Sequence, residues 1–262
     1  MRKVWTLLTA AALLAVSVAP AMAQEGARIH LIHGIPDTNV DVVAGGEIVF
    51  ENFAFGETQD LSALAGATLE GLEVRLAGTE TVAIDGGDVA LPATGNYTII
   101  AHLTADGTPT LGVFANDTSA IAAGEGRLTV RHTAAAPAVD VLANGAVAFS
   151  NLANPNEAAA DLGVGTIIAE VVPAGASEPV VIGPADLAIA DGTSLIVYAV
   201  GSLEGESLTV LTESISGLGT APSGVNTGNS PVETNATVYA FGAAALAAAI
   251  ALGARRFSTE EN

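Results

Sequence analysis

The chain has 262 residues, room for one large domain or two small ones, and it is 50% hydrophobic and 14% charged, a composition that folds. It has no cysteine, which excludes disulfide frameworks, thiolate metal sites and cysteine nucleophiles. Lys+Arg of 8 against Asp+Glu of 28 gives a net charge of -20, and repulsion from phosphate excludes a nucleic-acid partner for the folded part.

Arg2 and Lys3 precede an apolar run from Val4 to Val18, and Ala21-Met22-Ala23 follows. This is the layout of a secretory signal peptide over residues 1–23, with cleavage between Ala23 and Gln24. The apolar run is short for a membrane span, so the mature chain is expected to be exported.

An internal repeat begins directly afterwards. Arg28-Ile29-His30-Leu31-Ile32-His33 aligns with Arg127-Leu128-Thr129-Val130-Arg131-His132 at an offset of 99. The same offset places Val40-Asp41-Val42 on Val139-Asp140-Val141, Gly46 on Gly145, Phe50 on Phe149 and Asn52 on Asn151. The duplication predicts one unit over 28–118, a linker over 119–126 (SAIAAGEG) and a second unit over 127–214.

Within each unit apolar residues alternate, the period of a half-buried strand. Leu72, Val74 and Leu76 are expected to face a core, as are Tyr97, Ile99, Ala101 and Leu103, and in the second unit Leu195, Val197 and Ala199. Asp85-Gly86, Asp106-Gly107, Asn144-Gly145 and Asp191-Gly192 read as turns, and Leu91-Pro92-Ala93-Thr94-Gly95 as another. About seven short strands per unit fit an all-β fold: two tandem immunoglobulin/transthyretin-like antiparallel β-sandwich domains. Glu157 to Leu162 is a helical turn at most.

Residues 215–236 are rich in Gly, Ser, Asn, Thr and Pro and read as a flexible stalk, about 25 Å long on average. The segment 237–254 contains an uncharged run from Val238 to Ala254, followed by Arg255-Arg256. That run reaches about 26 Å as a helix against about 30 Å of hydrocarbon, and its larger apolar side chains supply only about -2 kcal/mol of insertion energy. It is read as a C-terminal transmembrane helix, with residues 255–262 as a cytoplasmic tail by the positive-inside rule. A hydrophobic tail closed by a basic pair also resembles a cell-wall sorting signal. The Leu-Pro-Ala-Thr-Gly stretch lies far upstream, however, and only Val225-Asn226-Thr227-Gly228 stands near the tail.

At His33-Gly34-Ile35-Pro36-Asp37, followed by Val40-Asp41-Val42, the sequence resembles the bacterial secreted family called domain of unknown function 4397 (DUF4397). The likeness runs through both copies. It implies tandem β-sandwich modules behind a signal peptide, often anchored at the surface, with no established activity. The second copy departs from the pattern, with Thr133-Ala134-Ala135-Ala136-Pro137 in place of the Pro-Asp turn.

His33 and His132 are candidate binding residues because they recur, and so are Asp41 and Asp140. Each histidine ends an apolar strand face, which favours a hydrogen-bonded residue closing the adjacent turn. Each aspartate could anchor that turn through backbone N–H groups. His30 and His33 fall on opposite strand faces and form no metal pair. Asp85-Gly86-Gly87-Asp88 lacks the oxygen spacing of a calcium loop. No nucleophile elbow, zinc-protease motif or phosphate loop occurs. The expectation is therefore a non-enzymatic, membrane-anchored envelope protein, structural or adhesive, with no cofactor and no catalytic or metal residues. Its partner would be a component of the envelope or surroundings, with weak divalent-cation binding by the acidic surface. The alternatives are a small-ligand or glycan receptor and, less favoured, a secreted hydrolase.

Overall fold

A computed structural model describes residues 26–220. The expected signal peptide, most of the stalk, the membrane segment and the cytoplasmic tail lie outside the described residues. Among the described residues no helix is long and apolar enough to cross a membrane.

The first half contains β1 (Arg28–His33), β2 (Val40–Ala44), β3 (Glu47–Phe53), β4 (Thr58–Asp60), β5 (Thr68–Leu76), β6 (Val82–Ala90), β7 (Asn96–Leu103) and β8 (Pro109–Ala115), with one 3-10 turn at Ser62–Leu64. The second contains β9 (Glu125–His132), β10 (Val139–Ala143), β11 (Ala146–Leu152), β12 (Glu157–Gly163), β13 (Gly165–Pro173), β14 (Ile182–Ile189), β15 (Ser194–Val200) and β16 (Thr209–Ile215). The first half forms sheets β4-β1-β7-β8 and β3-β2-β5-β6, and the second β12-β9-β15-β16 and β11-β10-β13-β14. Strand for strand, the two orders are the same.

The sheets are mixed rather than wholly antiparallel, which corrects the sequence expectation: β1 runs parallel to β7, and β9 to β15. Six chain reversals separate the first strand of each unit from the seventh, and an even number leaves the two pointing the same way. Two further local expectations fail. Asp85-Gly86 is not a hairpin turn but lies inside β6, where the register with β5 shifts at Leu72. Gly87 takes φ +57° there, and Asp88 and Asp85 accept backbone N–H groups of Gly71 and Gly87. Glu157 to Leu162 is not helical but belongs to β12, paired with β9 from Glu157↔Arg131 onward. Ala158 and Leu162 reach the second core, so pairing overrides the helical preference of alanine.

Each unit encloses its own core. Ile29, Leu31, Val42, Phe53, Leu72, Val74 and Ile99 fill the first, and Leu128, Val130, Val141, Leu152, Ile189 and Val197 the second. Leu76, expected in the core, is 38% exposed. A third apolar cluster joins the halves: Ile32 and Ile100 pack with Ile196, Tyr198 and Val200, flanked by Phe55, Phe114, Leu211 and Ile215. Sheet β4-β1-β7-β8 therefore lies face to face with sheet β12-β9-β15-β16. The connecting segment is docked as well. Ile121 is fully buried, and its backbone exchanges hydrogen bonds with Leu218 and Thr220, which holds the first residues after β16 against it.

Candidate functional site

The recurring histidines and aspartates occupy equivalent places in the two frames. His33 ends β1 with no exposed surface, and its Nε2 lies 2.7 Å from the carbonyl of Thr38. Because a carbonyl only accepts, Nε2 carries the proton. His132 ends β9 in the same way, its Nε2 3.0 Å from the carbonyl of Pro137, while the Ala134 N–H approaches its Nδ1 at 3.4 Å. Burial pushes both rings below the ordinary histidine range, against the pull of those backbone hydrogen bonds.

Asp41 Oδ1 accepts the Asn52 N–H at 2.7 Å and Oδ2 the Gly78 N–H at 2.8 Å. Asp140 accepts the N–H groups of Asn151 and Gly175 at 2.7 and 2.9 Å. These aspartates do not anchor the turn that the histidines close. Each ties the end of its unit's third strand to the turn after its fifth, where the chain takes positive φ: Asn52 at 53° with Gly78 at 70°, and Asn151 at 52° with Gly175 at 77°. The two backbone hydrogen bonds hold the Asp140 carboxyl below its usual range. The histidine and aspartate of each unit thus serve separate joints and do not converge on a shared cavity.

Polar side chains converge instead at the face-to-face contact. Glu213 on β16 accepts Thr98 Oγ1–H of β7 at 2.7 Å and Tyr198 O–H of β15 at 3.0 Å, and pairs with His30 Nδ1 of β1 at 2.5 Å. Arg131 on β9, 1% exposed, donates to Tyr198 Oη at 2.7 Å and to Glu157 at 2.7 Å. Its guanidinium lies 4.6 Å from the ring centre of Phe114 on β8, a cation–π contact across the junction. Asn116 donates to Thr98 Oγ1 at 3.0 Å, and Asn154 bridges the carbonyls of Leu103 and Ala134.

The ionisation of this network follows from its bonds. Burial alone would push the Glu213 carboxyl up, but hydrogen bonds from His30, Thr98 and Tyr198 outweigh it and hold the group below its usual range. Glu213 in turn raises His30, against the pull of burial, and so favours the protonated ring beside it. Burial, with the Glu213 charge beside it, pushes the Tyr198 hydroxyl strongly up and keeps it a donor.

Residues 26–220 hold four arginines against 24 carboxylates, and Arg127 and Arg131 are buried. Arg127 reaches Asp161 and Asp117, and Arg75 reaches Glu73 and Glu80. Among the described residues no three His, Asp or Glu side chains are placed to hold a metal ion. An open groove of about 420 Å³ lies beside the junction, lined by Arg28, His30, Asp60 and Ser62, and a smaller apolar cavity lies at the loop end of the second unit.

Sequence reasoning placed His33, His132, Asp41 and Asp140 but missed the junction residues Thr98, Arg131, Tyr198 and Glu213. A signal was present. Leu195 to Val200 is apolar or aromatic at every position, the mark of a strand buried on both faces, whereas strict alternation turns only Leu195, Val197 and Ala199 inward.

Residues 27–142 match the family described as a domain of unknown function (DUF4397), a stretch that spans the first unit and runs into β10 of the second. No curated protein matches the chain.

Proposed function

We propose that this is a non-enzymatic protein of the cell envelope in which two copies of one sandwich module act together as a rigid structural or adhesive element. An export signal, a stalk and a single C-terminal span would hold it at the membrane. The equal strand orders support the tandem reading, and the pairing of β4-β1-β7-β8 with β3-β2-β5-β6 supports a transthyretin-type sandwich over an immunoglobulin one.

One observation carries the functional reading: the residues that recur in both modules are engaged in the framework, and the modules are fused through a buried junction. The folded part therefore presents itself as one stiff acidic body. Stiffness lowers the ordering cost of holding a partner at a fixed distance. Its charge favours a basic or cation-bridged partner over an anionic one.

The test is capture of envelope components and a glycan panel by residues 24–220, with calcium and with chelator, while the mass of every captured species is monitored. Saturable capture with unchanged masses supports the reading. Cleavage of any panel member overturns it.

A further inference from the structure

The two modules differ at one end in a way that their common strand order makes directly comparable. At the offset of 99, Ile35 and Phe53 of the first module correspond to Ala134 and Leu152 of the second. Ile35 packs on the first core, and Phe53, 3% exposed, lies with its ring centre 5.8 Å from that of His33. In the second module Ala134, smaller than its counterpart Ile35, lines a cavity of about 60 Å³ beside His132. Ala134, Ala136, Val139, Ile182 and Leu208 line it, and exposed Pro137 and Leu203 stand at its mouth.

The lining is apolar apart from one residue. His132, the one polar residue there, has both ring nitrogens engaged by Pro137 and Ala134. A water molecule needs about two to four polar partners, so this space favours carbon. It is under half the engineered cavity of about 150 Å³ that accepts the six carbons of benzene, which restricts it to a branched chain end of about three carbons. The opening at Pro137 and Leu203 leaves a polar remainder of the ligand in solvent.

We infer that the loop end of the second module is a binding site for the branched aliphatic end of a small apolar molecule, at a place where the first module carries its own larger Ile35. The inference goes beyond the proposed envelope role and does not depend on the membrane anchor.

The probe is 4-methyl-1-pentanol, titrated into the full chain and followed through methyl resonances. Saturable shifts of Ala134, Ala136, Val139 and Leu203 at about millimolar probe are expected, with no saturable shift of Ile35. Ala134→Ile, which restores the side chain of the first module, should weaken binding at least about tenfold. If that variant does not fold, Ala136→Val, which also adds bulk to the lining, serves the same purpose. Absent or non-saturating shifts, or undiminished binding in a folded filled variant, would show a packing gap only and overturn the inference.

Discussion

Glu213→Gln tests the junction most directly. Glu213 has a side chain only 9% exposed and accepts from three partners on three strands, two of them in the other module. Gln keeps the shape but replaces one accepting oxygen by a donor, so a hydrogen bond to a charged acceptor is lost, about 1.5–3 kcal/mol. The His30 arm adds less, about 1 kcal/mol at most, because that ring is 37% exposed and solvent screens it. The sum is a loss of about 2–4 kcal/mol, roughly 4–16 °C in Tm when both units, residues 26–220, unfold together.

The loss should depend on pH with a definite sign. His30 is raised above 6.5, so its share of stability is complete below 6.5 and fades as pH climbs through its raised value. Glu213 is lowered below 4.5, so its share is complete above 4.5 and fades as pH falls through its lowered value. The gap between parent and variant is therefore widest between 4.5 and 6.5. Urea unfolding at a series of pH values reads this out, with the His30 resonance as an internal check, since its titration should move down in the variant. A gap below about 0.5 kcal/mol at every pH, with His30 unmoved, would refute the reasoning.

Three further outcomes are expected. Asp41→Asn leaves the N–H of Asn52 or Gly78 facing a donor, at a cost of about 1–3 kcal/mol by denaturant unfolding; Asp140→Asn should act in the same direction and lose its effect once acid carries the parent through the lowered value of Asp140. Burial lowers His33, His102 and His132, so stability should be intact above 6.5 and fall as acid titrates them in the unfolded chain, and His132→Gln should flatten that slope in urea midpoints. Gly192→Ala places a Cβ 2.6 Å from the Gly219 nitrogen at φ +59°, and hydrogen exchange should show the Leu218 amide, now bonded to the Gly192 carbonyl, losing protection.

What was legible in the sequence was the module, and what was not was the junction between modules. The offset of 99 from His33 to His132 pairs strands that hold the same place in the two sheet orders, because each half carries its own alternation, turns and glycines within about ninety residues, and such local rules are printed in order along the chain. Asp41 and Asp140 were legible as anchors but not as ties to Gly78 and Gly175, because those partners lie 37 and 35 residues away and their positive φ emerges only in the folded turn. Asp85-Gly86 and Glu157–Leu162 depart from their local preferences for one reason: a neighbouring strand imposes its pairing on each.

The junction combines two kinds of contact that do different work. Ile32, Ile100, Ile196 and Val200 supply attraction, but aliphatic faces tolerate sliding and rotation at little cost. The bonds of Glu213 to His30, Thr98 and Tyr198 are directional, and a small displacement leaves buried partners unmet, each at about 1–3 kcal/mol. A charge pair so placed adds little net stability over an apolar filling of the same shape, so its structural consequence is orientation. Arg131 extends the same constraint to the far edge, since its guanidinium must meet Phe114, Tyr198 and Glu157 together. The apolar residues bring the modules together, and the polar residues fix the single arrangement in which they meet.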